Sequence, residues 1–180
     1  MSASRRTLLT AFAGLAAAAV AAPGFGGDAS IPIQLAEARA AAPNFVGSSK
    51  WFNSAPLSIS DLRGKVVLVD GCYNCVNTLP YVTKLYETYK DKGLVVVGIH
   101  TPEFPFERSA GNVQAALKRH GITYPVAQDN DSATWNTWCN QYWPAQYIVD
   151  QHGNIVFSHA GEGQYDEIER TVRRLLNATS

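Results

Sequence analysis

The chemistry-bearing residues of this chain stand at Cys72-Tyr73-Asn74-Cys75. Two cysteines at i and i+3 can bring their sulfurs within bonding distance if a helix opens there. Unpaired backbone N–H groups and the helix dipole at such a start favour a thiolate. The more exposed first cysteine then attacks a partner disulfide, and the second, one turn on, resolves the mixed disulfide. Cys72 is therefore the expected nucleophile and Cys75 the resolving thiol. A cysteine zinc site would need a second such pair, and only Cys139 and four histidines remain. A static disulfide across this spacing would close a very small loop and stabilise little.

The elements that must position the pair follow from hydrophobic pattern. Val66-Val67-Leu68-Val69 is a continuous apolar, valine-rich run, the mark of a strand buried on both faces. Val82, Leu85, Tyr86 and Tyr89 recur at helical spacing, and Gly93 ends that helix. A second buried strand spans Leu94 to Ile99. Val113, Ala116, Leu117 and His120 mark a second helix closed by Gly121. His120 is expected to cap it rather than bind a ligand. Tyr124 to Ala127 is a short third strand, followed by a Trp-rich loop. Gln146–Asp150 and Asn154–Ser158 form a hairpin around His152-Gly153, and Ile168, Val172, Leu175 and Leu176 place a last amphipathic helix. Trp51, Phe52, Leu57 and Ile59 mark an extended N-terminal region. Helices between strands force parallel crossovers, and the hairpin adds antiparallel strands. The expected class is α/β, a mixed central sheet flanked by helices.

Composition narrows the function. Of 180 residues 46% are hydrophobic and 17% charged, with fifteen Lys+Arg against fifteen Asp+Glu. A neutral chain lacks the electrostatic footprint of a nucleic-acid binder. Residues 1–22 resemble an export signal: Arg5-Arg6 precedes a charge-free Leu8–Ala22 stretch, with Ala19-Val20-Ala21 as the cleavage site. That stretch is shorter than the roughly 18 apolar residues of a membrane span. Ser4-Arg5-Arg6-Thr7-Leu8-Leu9 is similar to a twin-arginine signal. Its removal leaves 13 basic and 15 acidic residues, a net charge of −2. Residues 23–42, rich in Gly, Ala and Pro, are expected to form a flexible tether, and residues 43–180 the folded domain. A periplasmic or otherwise exported protein without a stable membrane span is the expectation.

Dense motifs carry a resemblance. Asp61-Leu62-Arg63-Gly64-Lys65-Val66-Val67-Leu68-Val69-Asp70, Cys72-x-Asn74-Cys75, Thr78-Leu79-Pro80-Tyr81-Val82, Gly98-Ile99-His100-Thr101-Pro102-Glu103-Phe104, Asn140-Gln141-Tyr142-Trp143-Pro144-Ala145 and Gly161-Glu162-Gly163-x-Tyr165 are similar to the thioredoxin-like domain of the DipZ type. The resemblance implies a thioredoxin-like fold and dithiol exchange with exported proteins bearing disulfides or thiols, fed by an upstream electron donor or acceptor. It implies no cofactor beyond a redox-active Cys72–Cys75 disulfide. It places a cis-proline at Trp143-Pro144, facing the cysteines and offering backbone to a partner chain. It also makes Asp70 the buried carboxylate that assists proton transfer from the resolving thiol. DipZ-type proteins commonly carry a membrane domain before this module, so this chain is expected to be a free-standing version.

One departure stands out. Family members carry several residues, aromatics among them, between the strand's Asp and the first Cys, whereas here only Gly71 separates Asp70 from Cys72. Losing about four residues removes more than ~10 Å of extended chain. Either the strand shifts, exchanging its buried faces, or the helix start unwinds. Other residues have lesser roles. His100 and Glu103 are placed to shape the partner surface or to lie in a solvated loop. Cys139 is expected to be a buried inert thiol, with a third redox thiol or an intermolecular link as alternatives. Trp135 and Trp138 are expected to pack core and rim, with Trp143 flanking the site. The leading function is an exported thiol–disulfide oxidoreductase, acting as a reductase. The alternatives are a peroxiredoxin-like thiol peroxidase, for which Val69-Asp70-Gly71 supplies neither the hydroxyl nor the arginine needed, and a redox-inactive binding module.

Overall fold

A computed structural model describes residues 40–48, 50–71 and 77–178. The export signal, most of the tether, and Cys72 and Cys75 lie outside the described residues. Ala40–Ala42, the end of the expected tether, run beside the later hairpin: the Ala42 N–H donates to Gly153 O at 2.9 Å, and Ala40 O accepts from Ile155 N at 2.8 Å.

The elements follow in the order β1 (Lys50–Phe52), β2 (Val66–Asp70), α1 (Leu79–Tyr89), β3 (Leu94–His100), α2 (Ala110–Arg119), β4 (Val126–Gln128), α3 (Ala133–Thr137), β5 (Ala145–Val149), β6 (Ile155–Ala160) and α4 (Tyr165–Asn177). The sheet order is β1-β4-β3-β2-β5-β6. Its centre, β4-β3-β2, is parallel, and β1, β5 and β6 are antiparallel to their neighbours. This is the mixed sheet flanked by helices that the sequence predicts.

Period-2 alternation splits the buried strands between two cores. Val66 and Leu68 of β2 meet Val82 and Leu85 of α1, Val113 and Leu117 of α2, and Ile168 and Val172 of α4. Val67 and Val69 face the opposite core, where Phe45, Ile59, Leu62 and Trp138 pack. Each fully buried aliphatic side chain contributes roughly 1.5–3 kcal/mol relative to exposure. The two cores thus fix the position of β2, and with it the strand end that leads into the cysteine motif.

Several expectations are corrected. Trp51 and Phe52, expected only as part of an extended region, form an edge strand, because Lys50–Phe52 pair with Val126–Gln128. The third strand begins at Val126 rather than Tyr124; Tyr124 precedes it, with its ring buried in the helical core. The Trp-rich loop contains the five-residue helix α3. A turn that short has no periodicity to read, and it forms because Asp129 receives its first N–H groups, Thr134 N at 3.1 Å and Trp135 N at 2.8 Å. His120 is the C-cap residue of α2, as the sequence predicts.

Candidate active site

β2 ends in Asp70, whose side chain points to the same face as Val66 and Leu68. It is buried, at 2% exposure. In register it lies between Gly98 of β3 and Gln146 of β5. A Cβ at Gly98 would sit 3.3 Å from the Tyr124 ring, so glycine there lets the aromatic lie close to the strand. The Gln146 side-chain amide donates to Asp70 Oδ1 at 3.2 Å. Burial pushes the Asp70 carboxyl up to about 7, with the Gln146 hydrogen bond pulling the other way. The Tyr124 hydroxyl is raised well above its usual range by burial and by the charge of Asp70. Asp70 is thus poised to exchange a proton near neutral pH.

The next residue, Gly71, is seated against the proline loop. Its N–H donates to Ala145 O at 2.7 Å. A Cβ on Gly71 would come within 3.0 Å of Asn140 Nδ2 and 3.2 Å of Ala145 O, so glycine suits this close approach. Ala145 follows Pro144, and the Trp143–Pro144 peptide bond is cis, as the resemblance implies. Asp70, Gly71, Pro144 and Ala145 therefore converge at the point where the chain enters the Cys72–Cys75 segment. On the far side of that segment the described chain resumes at Asn77, and α1 begins at Leu79. β2 runs intact through Asp70, so the described strand shows no break, and the first described helical residue stands four positions beyond Cys75.

The Gly161–Tyr165 stretch ties these walls together. Gly161 N donates to Pro144 O at 2.8 Å. Asn77 Nδ2 donates to Glu162 Oε1 at 3.0 Å, and the Tyr81 hydroxyl of α1 donates to Tyr165 O at 2.6 Å. The Tyr81 and Tyr165 rings also stack, with centroids 4.4 Å apart. Trp143 is 43% exposed and stacks on Trp135 at 4.2 Å, forming an aromatic rim beside Pro144. Trp138 is buried, stacked on Phe45.

Two minor candidates move. His100 is not in a surface loop: it ends β3, is 1% exposed, and its Nε2 lies 2.9 Å from Glu107 O. Burial lowers its pKa against the pull of that carbonyl, so it is neutral at pH 7. Glu103 is exposed, and its N–H donates to the buried Glu107 carboxylate at 2.7 Å. Cys139 is exposed, not buried, because it follows α3 in a left-handed conformation (φ 54°) that turns it out of the Trp138 core. The sequence reading missed Gln146. Its signal was a polar side chain inside a strand otherwise buried, which requires a partner.

The Redoxin family model matches residues 37–175. The chain belongs to the Redoxin family. Its fold is thioredoxin-like. It is 45% identical over 143 residues to Protein DipZ of Mycobacterium tuberculosis (strain CDC 1551 / Oshkosh), a match covering 76% of this chain and 21% of DipZ. The chain thus spans about a fifth of the length of that relative. It is 28% identical over 141 residues to the thiol-disulfide oxidoreductase YkuV of Bacillus subtilis (strain 168), covering 76% of this chain and 95% of YkuV. Among solved structures, a thioredoxin-like protein in its oxidised form superposes with a TM-score of 0.69 at 28% identity, covering 79% of this Redoxin chain and 98% of its own. Among the described residues, no helix is long and apolar enough to cross a membrane.

Proposed function

We propose that this Redoxin protein is an exported dithiol reductase of protein disulfides. The observation that carries the reading is the buried Asp70 carboxylate, raised to about 7, two residues before Cys72 and beside the Pro144 loop. Cys72, as thiolate, attacks one sulfur of a partner disulfide. A mixed disulfide forms and one partner thiolate leaves. Cys75 gives its proton to Asp70, and its sulfur attacks Cys72. The Cys72–Cys75 disulfide closes, and the second partner thiolate leaves with the proton held by Asp70. Two electrons pass from the dithiol to the partner, so no further cofactor is required, and an upstream dithiol donor restores the pair.

Pro144 shapes the partner's seat. It has no N–H, its carbonyl accepts from Gly161, and the Ala145 carbonyl accepts from Gly71. A partner chain pairing at this loop would therefore use the backbone of Trp143, with the exposed indole beside it. Partners are exported proteins with accessible disulfides, and nucleic acid is not among them. Residues 1–22 would direct export, which fractionation of cells expressing the full chain tests.

Insulin reduction by the dithiothreitol-recycled protein is the activity test. Cys72→Ser should lower the rate at least ~100-fold, to the dithiothreitol background. Equal rates for the two proteins would reject the reductase in favour of a binding module.

A further inference from the structure

A carboxylate as buried as Asp70 needs something to hold its charged form if it is to accept a proton. The titratable groups around it do not. His100, at the end of β3, lines the same small cavity, and burial keeps it neutral at pH 7. Tyr124, ahead of β4, is held protonated by burial. α1 and α2 contribute Leu79 and Leu117. The cavity itself is about 10 Å³, room for one water at most. From β5 comes Gln146, 1% exposed, directly opposite Asp70 in the antiparallel register and bonded to its Oδ1 at 3.2 Å.

We infer that Gln146 is the positioning residue for Asp70: its side-chain amide, delivered across the β2–β5 pair, fixes the carboxylate through Oδ1 and leaves Oδ2 for proton exchange. The inference rests on the proton-transfer role proposed for Asp70. Because the donor is a neutral amide, it supports the carboxylate without pinning it as a cation would. A lysine or arginine at this place would hold Asp70 ionised and remove its capacity to return the proton to the leaving thiolate. The amide stands two positions after Pro144, so the strand that seats the partner also carries the group that orients the acid.

The test uses Gln146→Met, which keeps length and bulk but lacks the donor, together with Gln146→Glu and Asp70→Asn. The first readout is the Asp70 carboxyl carbon followed by NMR against pH in a Cys72→Ser/Cys75→Ser background, which needs no activity. Losing a hydrogen bond to a charged group should raise the Asp70 midpoint by about one pH unit in Gln146→Met. A second carboxyl in Gln146→Glu should raise it further. The second readout is insulin reduction across roughly pH 5 to 9. Its acid limb should move up by the same unit, with a loss of about fivefold at pH 7 and recovery at alkaline pH. In an Asp70→Asn background, adding Gln146→Met should change the pH profile no further. If Asp70→Asn alone leaves the acid limb in place, the role proposed for Asp70 fails. If Asp70→Asn moves the limb but Gln146→Met shifts neither the midpoint nor the limb, the positioning role of Gln146 is overturned.

Discussion

Two buried aspartates stand at the carboxyl ends of parallel strands, and they are surrounded differently. Asp129, just past β4, is fully buried and accepts from Thr134 N at 3.1 Å, Trp135 N at 2.8 Å and the Thr101 hydroxyl at 3.2 Å. Asp70, at the end of β2, is equally secluded, and among the described residues its side chain takes one donor, the Gln146 amide. Backbone N–H groups that converge on a carboxylate make it a structural cap. A carboxylate with a single amide donor stays close to its neutral form and can trade a proton. Burial alone therefore does not set the character of a carboxylate; the supply of donors does.

The comparison can be broken most forcefully at Asp129. Asp129→Ala should destabilise the fold by on the order of 3–5 kcal/mol, since it orphans two helix N–H groups and a hydroxyl in the interior. Chemical denaturation near neutral pH measures this, and a loss below about 1 kcal/mol would deny the cap its importance. Asp70→Asn should do the reverse. An unfolded carboxyl releases its proton near 3.8, while the folded one holds it to about 7, so the folded state binds more protons across that window. Raising the pH then favours unfolding of the parent. The Asn variant should be more stable by on the order of 2–4 kcal/mol above pH 7, the gap closing as the pH falls toward 4. Unfolding curves at the two ends of the window test the sign, and a variant less stable at alkaline pH would contradict it.

Smaller effects sharpen the contrast. Thr134 donates through its hydroxyl to Val46 O at 2.6 Å and accepts from Val46 N at 2.9 Å, fastening the N-terminal segment to the Asp129 region. Thr134→Val should cost about 1–2 kcal/mol without altering the pH dependence of insulin reduction. Cys139→Ser, on the exposed turn after α3, should leave that rate within roughly twofold. Mass spectrometry after brief iodoacetamide treatment should find Cys139 labelled in the native protein.

The framework was readable because Val66–Val69 and Leu94–Ile99 are valine-rich runs without a polar residue, and because α1 and α4 carry apolar stripes at helical spacing. The parts that escaped depend on contacts distant in sequence. Lys50–Phe52 becomes a strand only because β4 lies beside it. α3 is too short to show a period and owes its first turn to Asp129. Tyr124 looks like strand but is a buried ring lodged against Gly98. At the site, the family resemblance pointed to Asp70 and to the cis peptide. Gln146 could not be paired with Asp70 until the β2–β5 register was known, since an antiparallel partner 76 residues away leaves no local trace.

The Gly161–Tyr165 crossing holds the proline loop through Gly161 and the start of α1 through Glu162 and Tyr165. It works as a clasp over both flanks of the cysteine segment. Unfastening it would free the two flanks together while the sheet beneath stayed intact, so the proline loop and the start of α1 should loosen as one unit, well before the protein melts.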